Sequence, residues 1–389
     1  MVKSKTILCI ADYYLPASNA GGSVESLSNL ITNLGKNFNF LVITRDRDLL
    51  SPNPYSNVLL DQWNVVGNAR VFYASPSSLT LLGIFKLIRR TEFDILYLNS
   101  FFSFKMTFYP TIINWFNNKY MIIISPKGEF SPGAMKFKAI RKYFYIKSAN
   151  ILNLFANVTW HASSSYESDC ISKFFHSNIK KIFVAPDLPY FFKSGPVLLP
   201  NKITRKTGPL RIIFLSRISP VKNIVFLLKL LQQLDISVTL NIYGPVEDLK
   251  YWNYCKSLIM NLPQNISVFY KGKVDHNGVH KIFSMHDIFI FPTLGENFSH
   301  VIYESLASGT PVLTSNLTFW QEGVDGVLDI ASLNDPKSWI DFIKIYAELS
   351  PKEFLKKRKA CLDYVKINFN HKEAVSLNRE LFSQPNFYL

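Results

Sequence analysis

The residues best suited to chemistry lie in one stretch, Gly295-Glu296-Asn297-Phe298-Ser299-His300-Val301-Ile302-Tyr303-Glu304, followed by Ser305-Leu306-Ala307-Ser308-Gly309-Thr310-Pro311-Val312. The apolar run Ile288–Phe291 predicts a buried strand, and the spacing after it predicts a loop holding Glu296 and a helix starting near Ser299. The start of a helix presents free N–H donors and the positive end of its dipole, which suits a phosphate. Ser299 and His300 stand at that end. Glu296, ahead of the helix, can reach the hydroxyls of a sugar. Glu304, inside it, can chelate a vicinal diol such as a ribose. On spacing alone a surface helix with two solvated carboxylates would suffice; the flanking strand, the Gly-Thr-Pro turn and the next strand favour a ligand site.

A second group is Arg217 and Lys222 in Leu215-Ser216-Arg217-Ile218-Ser219-Pro220-Val221-Lys222-Asn223. The predicted strand Arg211–Ser216 ends, Arg217 follows in the loop, and Lys222 opens the next helix. Two cations there can neutralise a departing diphosphate, as a metal would. Basic residues are abundant in this chain, so the pair draws its meaning from its strand-loop-helix setting. Gly21-Gly22 stands after the predicted strand Ile7–Ala11 and before the helix Val24–Leu34, where absent Cβ atoms let the backbone approach a ligand. No Gly-x-Gly-x-x-Gly and no Walker sequence is present, which disfavours dinucleotide and ATP binding. Asp46-Arg47-Asp48 has the Asp-x-Asp form of some metal sites; it reads as a loop salt-bridge cluster or as an acceptor-side feature, and no metal is expected.

These residues need a scaffold, and the rest of the chain supplies its pattern. Short β-branched runs alternate with amphipathic stretches: Ile7–Ala11, Phe40–Thr44, Ile95–Asn99, Met121–Ser125 and Ile182–Ala185, then Arg211–Ser216, Val238–Tyr243, Ile266–Tyr270, Ile288–Phe291 and Val312–Ser315. Such alternation implies an α/β protein with parallel sheets covered on both faces. The segment from Asp187 to Pro209, rich in Pro and Gly, breaks the alternation and reads as a linker between two doubly wound domains. Ligands in such folds bind outside the C-terminal ends of the strands.

With 389 residues, 48% hydrophobic and 18% charged, the chain is long enough for two globular domains. The formal charge of +15 points to an anionic partner: a nucleotide, a nucleic acid or a membrane surface. Cys9, Cys170, Cys255 and Cys361 show no pairing or zinc spacing, which fits a reducing, cytoplasmic compartment. Thr6 to Ala11 is shorter than a signal h-region, and Phe101 to Ile124 is too interrupted for a spanning helix. Lys136, Lys138, Arg141, Lys142 and Lys147 alternate with Phe137, Ile140, Tyr143, Phe144 and Tyr145. This run is either a solvated helix face with its apolar side in the core or an interfacial helix meeting anionic lipid headgroups.

The Glu296–Glu304 segment resembles the glutamate-seven-residues-glutamate motif of the family 4 retaining glycosyltransferases, also termed glycosyltransferase group 1, and other segments extend the likeness across nearly the whole chain. The resemblance implies the GT-B fold: two Rossmann-like domains facing a central cleft, residues 1–195 for the acceptor, 196–370 for a nucleotide-sugar, and 371–389 as a helix packing back on the first domain. It implies that Glu296, Arg217 and Lys222 are catalytic, and that Glu304, Ser299, His300, Val274 and Gly22 hold the donor, Val274 through backbone contacts to the base. It places Gly21, Lys127 and His161 on the acceptor or phosphate side. Many members carry His or Arg immediately before Gly128, where this chain has Lys127, so a histidine's role there does not transfer. A lone histidine at a strand end, as His161 is, is more often structural.

The implied reaction is retaining sugar transfer from a nucleotide-diphosphate donor, a UDP-sugar being the commonest, to a glycan or lipid-linked glycan, without cofactor or metal. The Ser125-Pro126-Lys127-Gly128-Glu129 segment, with Thr44-Arg45-Asp46 and Trp63, resembles bacterial enzymes of O-antigen or capsule synthesis. A GT-B epimerase or phosphorylase is the alternative, disfavoured by the two charge sets together. A nucleic-acid binder is disfavoured because the βα alternation leaves no nucleic-acid module.

Overall fold

The computed structural model describes residues 4–117, 119–175, 181–189, 208–275, 278–323 and 326–384. The chain divides into two compact units, Met1–Tyr190 with His371–Leu389, and Phe191–Asn370. The boundary expected at 195/196 falls within 190–207, outside the described residues.

The first unit runs β1 (Thr6–Ile10), α1 (Gly22–Leu34), β2 (Asn39–Arg45), β3 (Trp63–Val66), β4 (Ala69–Ala74), α2 (Leu81–Arg90), β5 (Ile95–Leu98), a π-helical turn (Phe104–Phe108), α3 (Tyr109–Asn117), β6 (Met121–Ile124), α4 (Pro132–Lys136), α5 (Ala139–Ile151), β7 (Val158–Ala162), α6 (Ser165–Phe175) and β8 (Lys181–Val184). Its sheet has the order β3-β4-β2-β1-β5-β6-β7-β8, parallel throughout except β3, which returns antiparallel along β4. β5 and β6 are buried at every position, as parallel strands covered on both faces must be. The apolar stretch after Phe101 is thus divided among a turn, α3 and β6. Among the described residues no helix is long and apolar enough to cross a membrane.

The second unit runs β9 (Leu210–Leu215), a 3₁₀ turn (Pro220–Lys222), α7 (Ile224–Leu231), β10 (Val238–Tyr243), α8 (Leu249–Met260), β11 (Ile266–Gly272), α9 (Val279–Ser284), β12 (Ile288–Phe291), α10 (His300–Ala307), β13 (Val312–Ser315), β14 (Leu328–Ala331), α11 (Pro336–Glu348) and α12 (Pro351–Asn368). The sheet order is β11-β10-β9-β12-β13-β14, every pair parallel. The chain starts at the centre, winds outward to β11, then returns to lay β12 beside β9. The reversal opens a crevice at the C-terminal ends of those two strands. Trp339, Phe214, Phe283 and Leu227 are fully enclosed in its core.

The last helix, α13 (His371–Ser383), belongs to the first unit. Phe382 meets the rings of Phe38, Phe40 and Tyr97 at 5.7, 6.2 and 5.6 Å, and Asn378 donates to the Pro186 carbonyl at 2.8 Å.

Candidate active site

At the reversal of the second sheet, two loops meet. One follows β9 and carries Arg217 and Lys222; the other follows β12 and carries Glu296. Leu294 N–H donates to the Val221 carbonyl at 2.8 Å, and the Thr293 hydroxyl reaches the same carbonyl at 3.2 Å. Glu296 N–H is held by the Leu317 carbonyl at 3.1 Å. This stitching brings the Lys222 ammonium onto Oε1 of Glu296 in an ion pair whose side chains are 13% and 12% exposed. The Thr293 hydroxyl stands 3.4 Å from the same oxygen, and Lys222 Nζ lies 5.6 Å from the Phe291 ring centre. Lys222 closes the 3₁₀ turn instead of opening the next helix as expected. Asn223, at φ 57°, separates the two, a left-handed conformation that Asn tolerates better than most residues.

Arg217 is paired as well. Its Nη1 donates to Oε2 of Glu247 at 2.9 Å, with both side chains partly exposed. Glu247 lies beyond β10, and the N–H groups of Glu247 and Asp248 both donate to the Ile218 carbonyl, at 3.1 and 3.2 Å. Gly244 makes this approach feasible: at φ 128°, a Cβ there would sit 1.9 Å from the Ser216 carbonyl oxygen. Gly244 N–H also donates to the Gly272 carbonyl at 2.8 Å, which joins the end of β11 to the cluster. Val274, just past that end, is half-buried against the core.

Ser299 is the N-cap of α10 at φ 54°, and its side chain does not cap the helix. Its hydroxyl is buried without a hydrogen-bond partner among the described residues. His300 is buried with its ring 5.0 Å from Phe298, and Glu304, in the second turn, is enclosed as well. Sequence reasoning thus finds the members of this cluster except Glu247, Thr293 and Gly244. The Gly244-Pro245 pair after an apolar run signals the turn that bears Gly244 and Glu247, and it carries nothing for Thr293.

In the first unit, Gly21 is the N-cap of α1 at φ 68°, and Gly22 opens the helix. Three residues upstream the loop is held by Asp48, whose Oδ2 accepts from Ser18 N–H at 2.9 Å and Asn19 N–H at 3.1 Å. Asp46 is gripped by Arg47 through two bonds of 2.8 and 3.0 Å. The Asp-x-Asp sequence is therefore a loop salt-bridge cluster that also secures the approach to Gly21. Among the described residues no group of three or more His, Cys, Asp or Glu is gathered as a metal-ligand set.

Lys127 and His161 point inward. Lys127 Nζ is 2.6 Å from Oδ1 of Asp187, whose other oxygen accepts from Ser26 on α1 at 3.0 Å. Burial would lower the lysine's pKa, but the Asp187 carboxylate, Tyr97 and Glu167 together outweigh it and hold the ammonium above its ordinary range. The Lys127 charge expected to face phosphate or acceptor is met by Asp187. His161 Nε2 donates to the Ala185 carbonyl at 2.9 Å, so Nδ1 accepts from the Tyr97 hydroxyl at 3.0 Å. Burial, helped by the nearby Lys127 charge, brings its pKa down to about 4, and the ring is neutral at pH 7. Glu167 ties the two segments together by accepting from Gly128 N–H at 2.6 Å and Ser163 N–H at 2.8 Å.

Two doubly wound α/β units, one with an eight-stranded and one with a six-stranded sheet, are the architecture of the GT-B fold. Residues 198–365 match the family model described as glycosyl transferases group 1. Over 317 residues the chain is 26% identical to an uncharacterized 41.2 kDa protein in the cps region of Klebsiella pneumoniae, covering 78% of this chain and 82% of that protein. Similar solved structures include a sucrose-phosphate synthase from Thermosynechococcus elongatus (TM-score 0.73, 16% identity, 97% of this chain and 99% of that one). Another is Anabaena HepE in complex with UDP-glucose (TM-score 0.71, 15% identity, 97% and 99%).

Proposed function

We propose that the chain is a retaining glycosyltransferase that moves a sugar from a nucleotide-diphosphate donor, a UDP-sugar, to a glycan or lipid-linked glycan of a bacterial surface polysaccharide. The observation that carries this reading is the Lys222–Glu296 ion pair at the reversal between β9 and β12, shortly before the start of α10, with Arg217 on the same β9 loop as Lys222 and paired to Glu247. The group 1 match, a structural relative bound to UDP-glucose and a sequence relative from a cps region support it.

In this reading Lys222, Arg217 and the N–H groups near Ser299 receive the diphosphate. Glu296, with Thr293 and Lys222 at its carboxylate, orients the sugar; Glu304 and His300 line the donor side and Val274 the base. The C1–O bond to phosphate breaks, the acceptor oxygen bonds C1 from the same face, and its proton passes to the departing phosphate oxygen. No protein carboxylate forms a covalent intermediate, in contrast to the retaining glycosidases. Gly21 and Gly22 provide a backbone surface for donor phosphate or acceptor, and the two cations supply the charge a metal would bring.

The test is an incubation with UDP-, GDP- and dTDP-sugars and glycan acceptors, with the anomeric configuration of the product read by NMR. The expected outcome is an α-linked product from an α-donor, formed at the same rate with EDTA present. Free epimerised sugar nucleotide without acceptor product would instead establish the epimerase alternative.

A further inference from the structure

Helix α5 is amphipathic twice over. Ile146 and Ala149 are buried, and Tyr145 packs on Phe101, Phe102 and Phe108 at 5.3–5.9 Å. That is its inward side. On the opposite side Ile140, Tyr143, Phe144 and Ile151 are 75%, 60%, 62% and 74% exposed. At 3.6 residues per turn these four fall within an arc of about 100°, the width normally reserved for a face that meets a core. Single exposed apolar residues are ordinary, but four large ones in one stripe are not. Of the two readings of this segment, the one that put its apolar side in the core accounts only for the inner face.

The chemistry around the stripe selects what covers it. Lys147 lies in the middle of it, Arg141 on its flank, and Lys136 and Lys138 at its N-terminal end, all exposed. Lys142 is the exception, turned back to the Ala134 carbonyl at 2.8 Å and the Phe102 ring. No acidic residue occurs between Ser131 and Tyr166. A second copy would bring the same cations against themselves, in a chain of formal charge +15. An anionic bilayer accepts both features: apolar side chains enter the acyl boundary while lysine stems reach up to the headgroups.

We propose that the outer face of α5 docks on an anionic lipid surface, with Ile140, Tyr143, Phe144 and Ile151 inserted and Lys136, Lys138, Arg141 and Lys147 on the headgroups. The proposal deepens the reading of the acceptor as lipid-linked, but docking itself needs neither donor nor acceptor. Flotation of the full chain with phosphatidylcholine vesicles, with and without phosphatidylglycerol, tests it. Binding is expected only with phosphatidylglycerol and should weaken as salt rises. Arg141→Gln with Lys147→Gln should lower partitioning about fivefold per cation removed. Ile140→Ser with Phe144→Ser should lower it by at least about tenfold. UDP titration of each variant, unchanged from wild type, shows that the fold is intact and separates this proposal from the transferase reading. Absence of binding to anionic vesicles, or binding indifferent to both double variants, overturns it. So does a dimer, seen by light scattering, that Phe144→Ser dissolves, because the stripe would then be covered by a second copy.

Discussion

Lys222 and Glu296 neutralise each other, so removing either leaves the other's charge stranded in a largely enclosed place. In the proposed reaction Lys222→Ala has two effects: it deletes a donor to the departing diphosphate and leaves a carboxylate facing an incoming anion. Its kcat should fall by about 10²–10³, the loss seen when one electrostatic stabiliser of a transition state is removed, measured as UDP release under saturating donor. His161 offers a different test. Burial lowers its folded-state pKa from 6.5 to about 4, so between those values the unfolded chain binds more protons. Its contribution is therefore complete above pH 6.5 and is lost as pH falls toward 4. His161→Gln removes that titration. Urea unfolding at pH 7 and pH 4.5 should show the variant losing less stability than wild type over this interval, by up to about 3 kcal/mol. At this scale the sequence shows Arg217, Lys222, Glu296 and Ser299, because each follows an apolar run at short range. It does not show Glu247 or Asp187, whose ion-pair partners lie 30 and 60 positions away and carry no local periodicity.

Strands buried on both faces announce themselves, and those that are not do not. β9, β12 and β13 read directly from their apolar runs, and with them the crevice that holds the cluster. The β3–β4 hairpin is less legible because β3 is only partly buried along its length. β14 is interrupted by Asp329, whose carboxylate accepts from the Tyr346 hydroxyl at 2.7 Å, so a half-buried strand there looks polar. The turn that ends at Lys222 is missed for a subtler reason: Pro220 suits the start of any helix, and only the left-handed Asn223 shows that this one stops. Gly244 belongs to the same scale. Gly244→Ala would force a Cβ to 1.9 Å from the Ser216 carbonyl and strain a φ of 128°. The loops bearing Arg217 and Glu247 must then separate. The variant should lose more than about 1 kcal/mol in thermal or urea unfolding and bind UDP more weakly, whereas a surface alanine elsewhere in the second unit would do neither.

Over the whole molecule, charge and composition narrowed the partners to anions without choosing among them. For the second unit we base the proposed choice on Lys222 and Arg217 in the loop at a strand-order reversal, and for the first on the outer stripe of α5. The two proposals thus assign two anion-seeking surfaces with different chemistry, one to a diphosphate and one to an anionic lipid face. The central claim concerns the first of them. Calorimetric titration of the full chain with UDP, GDP and dTDP tests it most directly, in wild type, Arg217→Ala and His161→Gln. Selective binding of one nucleotide is expected, UDP foremost, weakened at least about tenfold in Arg217→Ala, which removes a charge-assisted contact, and retained in His161→Gln. Binding of none of the three, or equal binding by wild type and Arg217→Ala, would contradict the assignment of this crevice to a nucleotide-diphosphate donor.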